Sequence, residues 1–227
     1  MPEQQCSELC INKQNEKHNK AMLQYITNTD VELPVVEQVK AVLAGGCRWI
    51  QVRMKEASDE EITRVVEEIK PLCLEHEAFL LLNDRVELAK TLDVGGVHLG
   101  HDDMPASQAR MKLGPAAVIG VTANTFADIL AVSALDIDYF GVGPYRMTTT
   151  KKNLAPVLGV EGIKEIVEKM RNADITIPVV AVGGIRLEDV KPLMEAGVNG
   201  IAVSGSIAAA ADPKAATEAF IKALGHD

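Results

Sequence analysis

The feature that most constrains this chain is an alternation. From Met22 onward, short apolar runs take turns with longer amphipathic stretches. Eight runs read as strands: residues 23–27, 49–53, 79–82, 96–99, 118–121, 139–142, 179–182 and 200–203. Several are apolar almost throughout, as parallel strands buried on both faces must be. Helical patterns lie between them. In 59–76, Ile62, Val65, Val66 and Ile69 recur at helical spacing behind Ser58, and Glu61 is placed to complete a capping box. Ile163, Ile166, Val167 and Met170 repeat that spacing in 160–170, and 187–196 and 213–224 close the series. Eight βα units in about 200 residues predict a (β/α)8 TIM barrel of the α/β class, with a doubly wound open sheet as the alternative.

The remaining features bound what such a barrel could do. Residues 1–20 are polar and lack an apolar core, so they predict a loosely ordered leader rather than a signal peptide, ahead of one barrel domain over 21–227. No apolar run approaches the roughly 20 residues of a membrane span, which argues against a membrane partner. Cys6, Cys10, Cys47 and Cys73 show no paired CxxC spacing, as expected of a reduced, cytoplasmic protein. The net charge of -9 disfavours nucleic acid. It also means that an anionic substrate needs a local positive cluster, for which Arg53, Lys55, Arg146, Lys151 and Lys152 are candidates.

In a TIM barrel the site lies where the strands end. Gln51, Arg53 and Lys55 share the polar face of the second strand. A buried cation there must pair with a carboxylate or bind an anion. Asn83-Asp84 follows the third strand and His101-Asp102-Asp103 the fourth. Converging carboxylates suit Mg²⁺, although Asp84, Asp102 and Asp103 could instead cap the helices that follow. His98 reads as a packed core residue rather than a zinc ligand. Thr122 ends the fifth strand. Past the sixth, GPYRMTTTK offers three hydroxyls and an ammonium to a phosphate. Gly183-Gly184 and Ser204-Gly205-Ser206 end the last two strands, where such barrels hold phosphate on backbone N–H groups. A metal-type carboxylate pair, a cationic set and a separate phosphate cradle together imply two phosphorylated substrates, or one with two phosphoryl ends.

These residues resemble the thiamine-phosphate synthase family, over residues 22–219. The resemblance is carried by QVRMK at Gln51, NDR at Asn83, GVHLGHDDMP at Gly96, IGVTANT at Ile119, DYFGVGPYRMTTTKKNLAP at Asp138, VVAVGGI at Val179 and the turn near Ser204. It implies a (β/α)8 barrel that joins hydroxymethylpyrimidine diphosphate to hydroxyethylthiazole phosphate with Mg²⁺. It further implies that Asp84 and Asp103 hold the metal. Gln51, Arg53, Lys55, Asn83 and Lys151 would contact the pyrimidine diphosphate, with Arg53, Lys55 and Lys151 assisting its departure. Thr122 stands where the family usually has serine. Thr148, Thr150, Gly184, Ser204 and Gly205 would hold the thiazole phosphate.

Four departures stand out. Met54 replaces a usual glutamate but should face away from the site. His101-Asp102 replaces Gln-Glu, Arg146-Met147 replaces an aromatic-proline pair, and Gly205 stands at the usual serine. The sequence leaves room for a homo-oligomer, and the long 145–158 loop for a lid. A thiazole tautomerase-like paralogue and a non-catalytic phosphate sensor on the same barrel are the competing readings.

Overall fold

The apolar runs do become strands, and each strand pairs with its neighbours in sequence. The structure, a computed structural model, describes residues 22–147 and 156–226. The leader, with Cys6 and Cys10, and the Thr148–Lys151 stretch lie outside the described residues. The strands are β1 (Met22–Ile26), β2 (Trp49–Val52), β3 (Phe79–Asn83), β4 (Gly96–Leu99), β5 (Val118–Ala123), β6 (Tyr139–Val142), β7 (Val179–Val182) and β8 (Gly200–Val203). All pair in parallel, and β1 closes the barrel against β8 from Met22↔Gly200 to Tyr25↔Val203.

Parallel neighbours need a crossover, and helices supply it. The helices are α1 (Val35–Ala44), α2 (Asp59–Glu75), α3 (Val86–Thr91), α4 (Ala106–Leu113), α5 (Phe126–Val132), α6 (Gly159–Asn172), α7 (Val190–Glu195), α8 (Gly205–Ala208) and α9 (Pro213–Ala223), and a 3₁₀ turn, Leu187–Asp189, leads into α7. The predicted capping box is present: Glu61 N–H donates to Ser58 Oγ at 3.3 Å and Ser58 N–H to Glu61 Oε2 at 2.9 Å. Helix α1 is amphipathic and buries Val39, Val42 and Leu43, whereas α5 is only seven residues long. Of α5, Ile129 is the buried residue, and its start is set by a second box between Thr125 and Asp128.

Alternation along each strand splits the core in two. Leu23, Tyr25, Ile50, Val52, Leu80 and Leu82 pack outward under the helices. Trp49, Phe79, Leu81, Val118, Tyr139, Val180 and Ala202 fill the barrel itself. Trp49 and Tyr139 meet edge to face, with centroids 4.9 Å apart. Two glycines make room for the larger interior rings. A methyl on Gly120 would strike the Tyr139 ring, and one on Gly141 would come within 2.7 Å of His98 Cε1. Gly120→Ala should therefore overpack the interior, at a cost of about 1–3 kcal/mol. Urea denaturation checks it: we expect a lower midpoint with an unchanged slope, and an unaltered midpoint would show that Tyr139 has space to move.

Candidate active site

The ends of β2, β3 and β4 bring the first cluster together. Asp84 follows β3 with a left-handed backbone, φ 67°, and its N–H donates to the His98 carbonyl at 2.9 Å. Helix α3 starts from Arg85 and α4 from Pro105, neither helix with a side-chain cap, so Asp84, Asp102 and Asp103 are free of the capping role. Asp103 Oδ2 instead accepts the Gly100 N–H at 2.6 Å. The two aspartates hydrogen-bond each other. Burial raises the Asp84 carboxyl first, and the bond and charge of Asp103 add to it, so that Asp84 is pushed up to about 7 against the pull of Lys55 and Arg53. Asp103 is also raised by burial, but the bonds from Asp84 and the Gly100 amide outweigh that and hold it below the usual range. One proton is thus shared, resting on Asp84.

Cations stand beside this pair. Lys55 Nζ lies 3.8 Å from Asp84 Oδ2. Strand β2 stops at Val52, so Lys55 arrives on a turn closed by Ala57 N–H to Met54 O at 3.1 Å, rather than on the strand face that alternation implies. Met54 packs against the outer core and also lines one small cavity with Lys55, Asn83 and Asp84. Burial draws Arg53 below the ordinary guanidinium range, against the opposing charges of Asp84 and Asp30. Its backbone is fixed by Thr27, whose Oγ1 accepts the Arg53 N–H at 2.9 Å and donates to its carbonyl at 3.2 Å. Asn83 ends β3 opposite His98.

This donor set fits Mg²⁺. Two half-buried, interacting carboxyls resist being charged together unless a cation lies between them. Mg²⁺ is commonly held by one or two carboxylates and completed by water and substrate phosphate. No group of three or more His, Cys, Asp or Glu that could hold a metal ion is present among the described residues.

Below the rim runs a polar chain. Gln51, 1% exposed, donates to Gln24 Oε1 at 3.1 Å, and Gln24 donates to Tyr139 OH at 3.1 Å. Tyr139 OH is bonded to His98 Nδ1 at 3.0 Å, and His98 Nε2 to Thr122 Oγ1 at 3.0 Å. Both ring nitrogens of His98 are therefore engaged, in keeping with its reading as a core residue. Gln51 and Thr122 thus belong to the floor of the mouth. Gln24 and Tyr139 were missed by motif reading. A polar residue at an inward position of β1, with Gly120 and Gly141 leaving space opposite, is the signal that could have found them.

The second cluster lies across the mouth, at β7 and β8. Gly183 and Gly184 have φ of 106° and 64°. Ser206 Oγ donates to the Ile185 carbonyl at 2.6 Å and ties the two turns together. The Ser204 hydroxyl is enclosed and finds no partner among the described residues. Helix α8 starts at Gly205. Thr148, Thr150 and Lys151 lie outside the described residues. Arg146 departs from its expected place in the cationic set. It pairs with Asp189 through Nη1 to Oδ2 at 2.6 Å and Nη2 to Oδ1 at 2.9 Å. Burial alone would raise Asp189, but bonds from Arg146, the Arg186 amide and Tyr145 hold it below the usual range. Nothing local in the sequence marks Asp189, because its partner stands 43 residues away.

Comparison with known proteins agrees with this geometry. A family model described as thiamine monophosphate synthase matches residues 23–207. A thiamine-phosphate synthase of Bacteroides fragilis is 54% identical over 199 residues, 88% of this chain and 98% of that protein. One from Pyrococcus abyssi is 38% identical, covering 90% of this chain and 95% of its own length. Among solved structures, a thiamine phosphate pyrophosphorylase from Pyrococcus furiosus superposes with a TM-score of 0.80 at 34% identity, over 91% of this chain and 96% of that one.

The shared proton has a measurable consequence for the metal-free protein. The unfolded chain releases the Asp84 proton near pH 3.9, whereas the folded protein holds it to about pH 7. Between those values the folded state binds more protons, so this group's contribution to stability falls as pH rises. Asp103, held low, acts in the opposite sense only below that window. Asp84→Asn should remove the falling component, and asparagine tolerates the left-handed backbone. Urea midpoints in EDTA at pH 5 and pH 8 test it. The wild type should lose more than the variant, and equal losses would contradict the shared proton.

Proposed function

The chain belongs to the thiamine monophosphate synthase family, and we propose on that footing that it joins hydroxymethylpyrimidine diphosphate to hydroxyethylthiazole phosphate, releasing thiamine phosphate and pyrophosphate. The observation that carries this reading is the presence of two separate anion-facing clusters on one barrel mouth. Asp84, Asp103, Lys55 and Arg53 form one, and the Gly183–Gly184 turn with the Ser204 hydroxyl forms the other.

The chemistry follows from these parts. The bond between the pyrimidine's exocyclic carbon and the diphosphate oxygen breaks, and its electron pair leaves with pyrophosphate. The aminopyrimidine ring stabilises the resulting cation, and the thiazole nitrogen donates its pair to close the new C–N bond. No protein nucleophile takes part. Asp84 and Asp103 would hold Mg²⁺, which when bound supplies Lewis-acid neutralisation of the diphosphate. Arg53, Lys55 and Lys151 meet the charge that grows on the leaving oxygens. Gln51, Asn83 and Thr122 orient the pyrimidine diphosphate at the barrel mouth. Thr148, Thr150, Gly184, Ser204 and Gly205 hold the thiazole phosphate in line for attack. A tautomerase or a silent sensor would have no use for the buried carboxyl pair beside Lys55 and Arg53.

Cytoplasmic location fits the same reading: Cys47 and Cys73 are free and buried, and no helix among the described residues is long and apolar enough to cross a membrane.

Incubating the protein with both substrates, with and without Mg²⁺, and oxidising any thiamine phosphate to fluorescent thiochrome tests the proposal. We expect fluorescence that requires Mg²⁺. Folded protein that gives none with intact substrates would overturn it. Lys55→Ala and Lys151→Ala should each slow turnover about 10- to 150-fold, the worth of one charge-assisted bond that strengthens in the transition state. Near-wild-type turnover in either would remove that residue from the leaving-group site.

A further inference from the structure

The Gly183–Gly184 turn is held by a network of main-chain and side-chain hydrogen bonds. Three successive carbonyls of the turn are all taken by two residues. Tyr145 N–H donates to Val182 O at 2.9 Å, Arg146 N–H to Gly183 O at 2.9 Å, and Arg146 Nη1 to Gly184 O at 2.8 Å. Drawing the carbonyls to one side turns the intervening peptides and points their N–H groups the other way. Among the described residues those of Gly183 and Gly184 make no hydrogen bond.

The Arg146 guanidinium that completes this set is itself fixed. Asp189, with its side chain 7% exposed, accepts from both of its terminal nitrogens, from Tyr145 OH at 2.9 Å and from the Arg186 N–H at 2.8 Å. Arg146 also lies over the Tyr145 ring, 5.2 Å from its centroid. One buried carboxylate thus ties the end of β6 to the turn after β7. A lone cation beside a phosphate cradle would normally be read as a ligand. This one is neutralised by a fork-to-fork pair that leaves it little freedom to swing.

We infer that Asp189, acting through Arg146, is a positioning residue that sets the Gly183–Gly184 amides for the phosphate of the thiazole substrate. The inference rests on the proposed synthase reading. Its effect should be confined to one substrate, because the diphosphate cluster at Asp84, Asp103 and Lys55 draws on other elements.

The test is steady-state kinetics of Asp189→Asn, Arg146→Lys and the double variant, each substrate varied with the other saturating. Asparagine keeps the shape of Asp189 and removes its charge. Lysine keeps the charge of Arg146 but cannot reach Asp189 twice and Gly184 O at once. Each single variant should raise KM for hydroxyethylthiazole phosphate about tenfold, the worth of one net hydrogen bond to a charged group. KM for the pyrimidine diphosphate and kcat should stay within about twofold. Because both variants break the same link, the double should be no worse than the poorer single. An unchanged thiazole phosphate KM, or a common loss in both KM values and kcat, would overturn the inference. So would a fall in that KM in Asp189→Asn, since it would mean that a released Arg146 binds the phosphate itself. If wild-type protein forms no thiamine phosphate, the synthase reading fails, and calorimetric titration of hydroxyethylthiazole phosphate decides this inference alone. Binding that weakens about tenfold in Asp189→Asn sustains it. Equal binding, or none to the wild type, overturns it.

Discussion

Barrel closure is the constraint on which everything else here depends. Once β1 pairs with β8, every second side chain of eight strands points at one axis, and the strand ends must converge. An interior of that kind has to be filled, and any polar atom placed in it must find a partner. Apolar and aromatic side chains from Trp49 to Val180 fill the lower part. Above them the chain from Gln51 through Gln24, Tyr139 and His98 to Thr122 satisfies its own members in sequence. It gives the mouth a floor that is polar yet rigid. Gly120 and Gly141 belong to the same solution, since a larger residue at either would displace the rings that carry the chain.

On that floor the two clusters meet the same difficulty in opposite ways. On the proposed reading, each has to receive an anion in a protein that carries a net charge of -9. At β3 and β4 the chain places still more negative charge, Asp84 and Asp103, and compresses it until one carboxyl keeps its proton to about pH 7. That arrangement suits an anion only when a cation lies between, which is what a diphosphate leaving group needs most. At β7 the chain does the reverse. It supplies a cation, Arg146, and then neutralises it with Asp189. What the turn would offer a ligand, on the proposed reading, is the pair of Gly183 and Gly184 amides.

How legible all this was in the sequence depended on how local each feature is. Strands β4, β6, β7 and β8 were readable to the residue, because a buried parallel strand must be apolar and glycine marks its ends. The Ser58–Glu61 box was readable because both partners sit within one turn. Lys55 was assigned to the right neighbourhood for an incomplete reason: its residue type marked it, but a turn after Val52, not strand alternation, carries it there. Tyr139 looked like one more apolar strand residue. Its hydroxyl matters only because Gln24 and His98 arrive from distant strands. Asp189 looked like an ordinary acidic residue near a helix start, and its role exists only when β6 and β7 lie side by side.

The same contrast explains why Arg146 could be misjudged. A basic residue two positions from a threonine run reads as part of a phosphate site on composition alone. The pairing with Asp189 changes the accounting. A guanidinium held on two sides by one carboxylate has most of its field cancelled and its donors occupied. Its remaining influence is geometric, through the one bond it keeps to Gly184 O. On the proposed reading, a substrate phosphate would be recognised there by dipoles of fixed direction rather than by a mobile charge, and dipoles discriminate by position. A ligand that is merely anionic gains little there unless its oxygens fall where the amides point. That demand is the one a site must make if the thiazole nitrogen is to stand in line with the carbon it attacks.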